Sequence, residues 1–328
     1  MINVSCQTIL NCTRNVTIRC ANNFTCTSLK LMRFYSAIRT NTQTPKKVTI
    51  TTLQNLYTNN EPITVLTAHD YPSGLFVEKT GIEICLVGDS LGMVALGRKS
   101  VNQTTIEEML HHCRAVSRGA KNPFLVGDMP FGSYETSSKD ALRNAIRYIK
   151  EGNMEAIKLE GGSEMARTIH QITSIGIPVL GHIGLTPQRQ SSLGGFRVQG
   201  KTAKQAIKLL YDAKALQRAG CFAIVLEAIP GPVATYITEQ LQIPTIGIGA
   251  GSGTSGQVLV QQDMLGIYDR FVPKFCKQYA KLDQLIIEAI EAYREEVKSR
   301  AFPAEEHSYP INDDELKTFL DIMKKEKE

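Results

Sequence analysis

Acidic side chains end four short apolar runs in this chain, and carboxylates in that position can bind a metal ion or transfer a proton. The four residues are Asp89, Asp128, Glu160 and Glu227. Helix-like segments separate the runs, so each run reads as a buried strand of a parallel sheet. Because the carboxyl ends of such strands lie on one side of the sheet, we expect these side chains to converge on one polar site.

Eight strand-like segments in alternation with helical segments position these residues. The predicted strands cover residues 63–70, 84–88, 124–128, 156–160, 177–182, 223–227, 244–249 and 257–263. Capping boxes at Thr105 and Thr202 predict two of the helix starts, and Gly220 ends the second of these helices. The pattern predicts an α/β fold, a (β/α)8 barrel, with a doubly wound open sheet as the alternative. The barrel is favoured because polar residues follow most strands and do not gather at one crevice.

Three of the carboxylates, Asp89, Asp128 and Glu160, end consecutive predicted strands. Close carboxylates repel one another unless a cation or a proton intervenes, and Mg²⁺ prefers oxygen ligands. We therefore expect a magnesium site made by these three residues. The alternative is that each carboxylate only caps a turn. Asp70 and Asp263 would lie at the same barrel mouth.

Three further residues point to proton transfer and substrate binding. Lys158 lies two residues before Glu160, so it faces the barrel interior, where it needs an anion as partner. His182 ends the fifth strand and is able to donate a hydrogen bond to a substrate. Glu227 lies across the barrel from the metal candidates and is free to act as a general base. The alternatives are a structural ion pair for Lys158, a core histidine for His182 and an exposed rim residue for Glu227.

Charge is distributed unevenly along the chain. The first 47 residues contain seven Lys and Arg and no acidic residue, whereas the remainder holds 30 basic and 32 acidic residues. The near-neutral body argues against nucleic-acid binding. The segment 1–47 has no apolar run long enough for a membrane span, and its composition is typical of a mitochondrial transit peptide. A disordered leader, or translation from Met32, would also fit. Its four cysteines and its Asn-x-Ser/Thr sequons would suit a secreted arm, but no signal peptide precedes them.

Six motifs resemble the ketopantoate hydroxymethyltransferase family. They begin at Val87, Gly127, Lys158, Gly181, Gly194 and Gly247 and read VGDSLGM, GDMPFGSY, KLEGG, GHIGLTPQ, GGFRVQG and GIGAG. The resemblance runs in order from about Val48 to Tyr309. It implies a catalytic barrel of the phosphoenolpyruvate/pyruvate class with its C-terminal helix over residues 48–310, followed by a charged surface tail over 311–328.

The resemblance also implies a one-carbon transfer. A hydroxymethyl group would pass from 5,10-methylenetetrahydrofolate to 3-methyl-2-oxobutanoate through a Mg²⁺-stabilised enolate, giving 2-dehydropantoate for pantothenate synthesis. Asp89, Ser90, Asp128 and Lys158 would contact the 2-oxo acid, Asp89, Asp128 and Glu160 would hold Mg²⁺, and Glu227 would be the base. The family forms a ten-subunit ring, so a homo-oligomer is expected.

One residue departs from the expected motif. His69 stands before Asp70 where tyrosine is expected, and at the barrel mouth it could alter a substrate contact. Two other functions remain open: a magnesium-dependent C–C lyase or mutase of 2-oxo acids on the same barrel, which would need no folate, and a non-catalytic binding barrel, which would have lost carboxylates.

Overall fold

The computed structural model describes residues 46–268 and 270–326. Eight parallel strands form a closed barrel in sequence order, with β8 paired to β1. The strands are β1 (Ile63–Thr67), β2 (Ile84–Val87), β3 (Phe124–Asp128), β4 (Ala156–Lys158), β5 (Val179–Gly184), β6 (Ala223–Glu227), β7 (Thr245–Ile248) and β8 (Gly256–Leu259). The predicted (β/α)8 barrel is confirmed, and the alternative open sheet is wrong.

Twelve α-helices in the described residues precede, connect and follow the strands. They are α1 (Ile50–Thr58), α2 (Tyr71–Thr80), α3 (Leu91–Val94), α4 (Ile106–Gly119), α5 (Ser138–Lys150), α6 (Ala166–Ser174), α7 (Gln190–Leu193), α8 (Ala203–Arg218), α9 (Gly231–Glu239), α10 (Gln261–Met264), α11 (Leu282–Ser299) and α12 (Asp313–Lys325). Short 3₁₀ turns occupy Val101–Gln103, Ser163–Met165, Pro187–Arg189 and Glu305–His307.

Local sequence signals set several helix ends. Thr105 accepts a hydrogen bond from the backbone of Glu108, whose carboxylate accepts one from the backbone of Thr105, so the predicted capping box starts α4. The box predicted at Thr202 starts α8 in the same way. At the end of α2, Gly81 adopts the left-handed conformation that glycine tolerates best.

Two apolar layers hold the barrel together. One layer fills its interior with alternate strand residues, including Ile63, Ile84 and Phe124, the first residues of three strands. Leu53 of α1 belongs to the same cluster, so this helix packs against that end of the barrel. The larger layer lies between the strands and the surrounding helices. Both packings leave the carboxyl ends of the strands available for polar residues.

The residues that follow the barrel form two long helices. All eighteen residues of α11 are described and none is buried, although Leu285, Ile286, Ile290 and Tyr293 are large and apolar. Helix α12 lies within the predicted surface tail and is equally exposed. None of the helices in residues 46–268 and 270–326 combines the length and the apolar character that a membrane crossing requires.

Candidate active site

The carboxyl ends of the strands surround a cavity of about 370 Å³. All of the site residues predicted from the sequence line this one cavity, namely Asp89, Ser90, Asp128, Lys158, Glu160, His182 and Glu227. A cavity of this size is in the range of small-molecule sites. The predicted convergence of the strand-end residues is therefore present in the structure.

The centre of the site is an ion pair between neighbouring strands. Asp128 and Lys158 are register partners on β3 and β4, and the lysine Nζ lies 2.8 Å from Oδ1 and 2.7 Å from Oδ2 of the aspartate. Burial raises the pKa of Asp128 to about 7, against the lowering effect of Lys158. Burial opposes the charge on Lys158, but Asp128, Glu160 and Asp89 outweigh it and raise the pKa of the lysine. Lys158 is thus one positive charge surrounded by the three carboxylates of Asp89, Asp128 and Glu160.

Glu160 is fully buried, and only one of its two carboxylate oxygens has a hydrogen-bond partner among the described residues. One oxygen, Oε2, accepts a hydrogen bond of 3.1 Å from the backbone N–H of Gln188. The other, Oε1, has no hydrogen-bond partner among the described residues and lies 4.0 Å from Lys158 Nζ. Burial first, and then repulsion from Asp89, Asp128 and Glu227, raise the pKa of Glu160 well above its ordinary value. This oxygen is open to a proton, a water molecule or a cation.

His182 lies between Glu160 and Glu227. Its Nε2 is 2.9 Å from the carbonyl oxygen of Leu185 and 3.2 Å from Oε2 of Glu227, so this nitrogen carries the hydrogen. Its Nδ1 is 3.6 Å from Oε1 of Glu160. Burial and the charge on Lys158 lower the pKa of His182, despite the raising effect of Glu227. A neutral imidazole therefore donates from Nε2 to the carbonyl oxygen of Leu185 and lies beside the carboxylate of Glu227.

Glu227 differs from the other carboxylates in its access to solvent. Its side chain is 14% exposed, whereas those of Asp128 and Glu160 are 2% and 1% exposed. It ends β6, which the strand order places opposite β2, the strand that Asp89 follows, whereas only β5 separates β6 from β4. This position leaves Glu227 able to meet a substrate that occupies the cavity.

Gln188 was not predicted from the sequence, although it connects several site residues. Its side-chain nitrogen donates 2.9 Å hydrogen bonds to Oδ2 of Asp89 and to the carbonyl oxygen of Met129, and its Oε1 accepts a 2.5 Å bond from Tyr134. Tyr134 in turn accepts a bond from the backbone N–H of Glu160. Gln188 is therefore a positioning residue, and its place at the end of the GHIGLTPQ motif was the available signal.

Of the two other aspartates predicted at the mouth, Asp263 lines the cavity and Asp70 does not. Asp70 accepts a 2.8 Å bond from the backbone of Ser73 and caps α2, and it is not among the residues that line the cavity. Asp263 does line the cavity, but it lies in α10 and not at the end of a strand, since β8 stops at Leu259. Burial raises the pKa of Asp263 to about 6.

The unusual His69 also lies outside the cavity lining. Its Nδ1 is 2.9 Å from the side-chain nitrogen of Gln262, and its Nε2 is 3.5 Å from Oδ2 of Asp70. His69 is therefore not among the residues that line the cavity, and its effect on a substrate contact stays a prediction.

The carboxylates of the cavity offer oxygen ligands for a cation. Within residues 46–268 and 270–326, no group of three or more His, Cys, Asp or Glu side chains is close enough to hold a metal ion alone. Asp89 and Asp128 nevertheless meet in one cavity with Glu160, whose Oε1 is unpartnered among the described residues. Such a set suits a hard divalent ion that keeps water or substrate oxygens as its other ligands.

Known structures of the same architecture define the class of barrel. A phosphonopyruvate hydrolase matches with a TM-score of 0.54 at 11% identity, over 85% of this chain and 97% of that one. A phosphoenolpyruvate phosphomutase from Streptomyces platensis matches with a TM-score of 0.52 at 14% identity, over 85% and 96%. A 2,3-dimethylmalate lyase of the phosphoenolpyruvate mutase/isocitrate lyase superfamily gives 0.50 at 14% identity, over 86% and 98%. These likenesses show that the fold is a TIM barrel.

Sequence relatives identify the family within that class. The model of the ketopantoate hydroxymethyltransferase family matches residues 47–305. The 3-methyl-2-oxobutanoate hydroxymethyltransferase of Emericella nidulans is 58% identical over 84% of this chain and 79% of its own length. The protein of that name from Carboxydothermus hydrogenoformans is 55% identical over 81% and 96%. An Arabidopsis thaliana relative, named mitochondrial, is 50% identical over 90% and 89%. The chain belongs to the ketopantoate hydroxymethyltransferase family and is an enzyme.

Proposed function

We propose that this enzyme transfers a hydroxymethyl group from 5,10-methylenetetrahydrofolate to 3-methyl-2-oxobutanoate. Water supplies the hydroxyl oxygen, and the products are 2-dehydropantoate, a precursor of pantothenate, and tetrahydrofolate. The observation that carries the proposal is a difference among the carboxylates that line the cavity: Asp89, Asp128 and Glu160 are buried, whereas Glu227 is partly exposed. The names of the relatives support the same reaction.

The first chemical step is removal of the proton on C3 of the oxo acid. Glu227 accepts this proton as the C–H bond breaks, with Nε2 of His182 3.2 Å from its carboxylate. The carbon that loses the proton then forms a new C–C bond to the one-carbon unit of the folate; this bond replaces one of the two C–N bonds of that unit, and a C–O bond from water replaces the other, so that tetrahydrofolate leaves. Lys158 and Ser90, which line the cavity, bind the oxygens of the oxo acid and fix its orientation.

Asp89 and Asp128 would hold Mg²⁺, directly or through water, together with Glu160. Bound there, the ion supplies positive charge beside the substrate oxygens where negative charge develops during proton removal. Gln188 keeps Asp89 and Glu160 in fixed positions for this role.

The activity is tested by incubating the full-length protein with the oxo acid, methylenetetrahydrofolate and Mg²⁺, and by omitting each in turn. Formation of 2-dehydropantoate that requires all three supports the proposal. A product that forms equally well without folate would identify the protein as a lyase or mutase of the same barrel class. Absence of any reaction with 2-oxo acids would leave the non-catalytic barrel as the better account.

Location and assembly complete the proposal. We propose that residues 1–47 direct the protein to mitochondria; residues 1–45 lie outside the described residues, and the support is their composition and the name of the Arabidopsis relative. A fusion of residues 1–47 to a fluorescent protein tests this, since a cytosolic signal would refute it. We also propose a homo-oligomer, a ring of ten by family resemblance, because α11 exposes large apolar side chains. Sedimentation equilibrium at the monomer mass would refute that assembly.

A further inference from the structure

The outer part of the active-site cavity has a composition that the small oxo acid does not explain. Two segments far apart in the chain line it above the carboxylates. One follows β5 and contributes Phe196 and Arg197, and the other follows α10 and contributes Phe271, Lys274 and Phe275. We call these five residues the vestibule. Because they line the same cavity as Asp89 and Glu227, a molecule bound to them would be in reach of the reacting acid.

The vestibule offers flat apolar surface to solvent. The exposed fractions of Phe196, Phe271 and Phe275 are 54%, 64% and 37%. Three aromatic rings exposed around one cavity are unfavourable in water and are typical of a surface that a ligand covers. Planar aromatic ligands gain most from such a site, since rings interact by offset stacking or edge-to-face contact.

The backbone beneath one of these rings is adapted to hold it. Gly249, directly after β7, has a φ of 64°, and a Cβ built there would lie 2.7 Å from the Phe275 ring. Only glycine leaves room for this ring to pack on the loop. The glycine-rich segment after β7 therefore supports an aromatic wall of the cavity.

The vestibule also carries positive charge. Arg197 and Lys274 both line the cavity, and neither forms an ion pair within residues 46–268 and 270–326. No acidic side chain belongs to the vestibule as defined, whereas carboxylates dominate the floor of the cavity below it. The two parts of the cavity thus suit different ligands, with anionic groups favoured at the outer part.

We propose that the vestibule is the binding site of the folate cosubstrate. The aromatic rings of the folate pack against Phe196, Phe271 and Phe275, and its glutamate carboxylates pair with Arg197 and Lys274. This inference rests on the proposed function, because the one-carbon unit must reach C3 of an oxo acid held at the floor of the same cavity. The pairing follows from chemistry alone: the folate has a flat pyrimidine ring and an aromatic aminobenzoyl ring, and its glutamate end is anionic.

The test measures steady-state kinetics of the full-length enzyme with two donors, methylenetetrahydrofolate and methylenetetrahydropteroate, which lacks the glutamate. In Arg197→Gln and Lys274→Gln, KM for the glutamate-bearing donor should rise by roughly 2–5-fold for each lost ion pair. KM for the donor without glutamate should not change. Phe271→Ala should raise KM for both donors by roughly 5-fold or more, as expected for loss of a stacking partner.

The control variant is Lys277→Gln, because Lys277 lies over the ring of Tyr279 and does not line the cavity. It should behave like the wild type with both donors. Exchange of the C3 proton of the oxo acid in D₂O, measured without folate, should be equal in all four variants.

These outcomes separate the two proposals. Suppose that the wild type makes 2-dehydropantoate. If Arg197→Gln and Lys274→Gln then leave KM unchanged for both donors, or raise it equally for both, the vestibule is not the glutamate site. If Phe271→Ala leaves both values of KM unchanged, the aromatic wall is not the folate site. A wild type that makes no 2-dehydropantoate would instead overturn the proposed function.

Discussion

Replacement of Gln188 by leucine tests the claim that this residue organises the site. The leucine fills a similar volume but makes no hydrogen bond, so three buried groups lose a partner: Oδ2 of Asp89, the hydroxyl of Tyr134 and the carbonyl oxygen of Met129. Each buried polar group left unsatisfied costs about 1–3 kcal/mol. Local relaxation recovers part of this, so we expect the free energy of unfolding to fall by about 3–5 kcal/mol.

Urea unfolding at a fixed protein concentration measures this loss, because the midpoint falls while the slope with denaturant stays the same. The control variant is Gln54→Leu, since Gln54 is exposed on α1, and its effect should stay within about 0.5 kcal/mol. A loss below about 1 kcal/mol in Gln188→Leu, on the scale of a single hydrogen bond, would refute the role assigned to Gln188.

Three further changes probe the fold and its electrostatics. Thr105→Ala should lower the free energy of unfolding by about 1 kcal/mol through loss of the α4 cap, and Thr105→Ser should retain most of it; equal losses in both would contradict the capping argument. Asp263 has a pKa of about 6, above its ordinary 3.8, so its ionisation destabilises the fold as pH rises through that interval. Asp263→Asn should therefore stabilise the protein by about 1 kcal/mol near pH 8 and less near pH 5, unlike the exposed Asp321→Asn; thermal melts at both pH values check this, and a gain independent of pH would refute it. Lys158→Met leaves the charge of Asp128 buried without a positively charged partner and should cost about 3–5 kcal/mol near pH 8. Because the pKa of Asp128 is raised to about 7 even beside Lys158, protonation should reduce that cost near pH 5, and urea unfolding with a pH-independent loss would contradict the assignment.

The strands that the sequence predicted best are those whose local signals are unambiguous. The predicted bounds of β3 and β6 match the structure because each is an apolar run that stops at a carboxylate. Strand β5 begins two residues later than predicted, at Val179, and continues to Gly184, where pairing with β6 extends it. Strand β4 ends at Lys158, so Glu160 lies just beyond the strand and not at its end. These ends depend on the neighbouring strand, which periodicity cannot reveal.

Helices with weak periodic patterns were missed. Helix α1 is rich in threonine, a poor helix former, and tertiary packing of Leu53 under the barrel stabilises it. Helix α9 begins with Gly231 and a proline, residues that usually indicate a turn. Its burial of Ala234 and Ile237 is again a tertiary effect.

The site residues at strand ends were predicted from the sequence, whereas the site residue in a loop was not. Each predicted site residue lies at the cavity because the parallel barrel places strand ends together. Gln188 is separated from Asp89 by 99 positions and reaches it only through the loop after β5. Conversely, Asp70 follows β1 as the pattern requires, but its carboxylate accepts a hydrogen bond at the start of α2 and caps that helix. Sequence position alone does not show that Gln188 reaches the site whereas Asp70 caps a helix.

In the proposed mechanism Glu227 removes the C3 proton of the oxo acid, and the Mg²⁺ that Asp89, Asp128 and Glu160 would hold offsets the negative charge that develops. The most direct test is the exchange of that proton for deuterium, followed by NMR with 3-methyl-2-oxobutanoate and Mg²⁺ in D₂O and without folate. The wild type should catalyse the exchange, and Glu227→Gln should lose it by roughly 10²-fold or more while remaining folded. Exchange at the wild-type rate in Glu227→Gln would show that another group takes the proton.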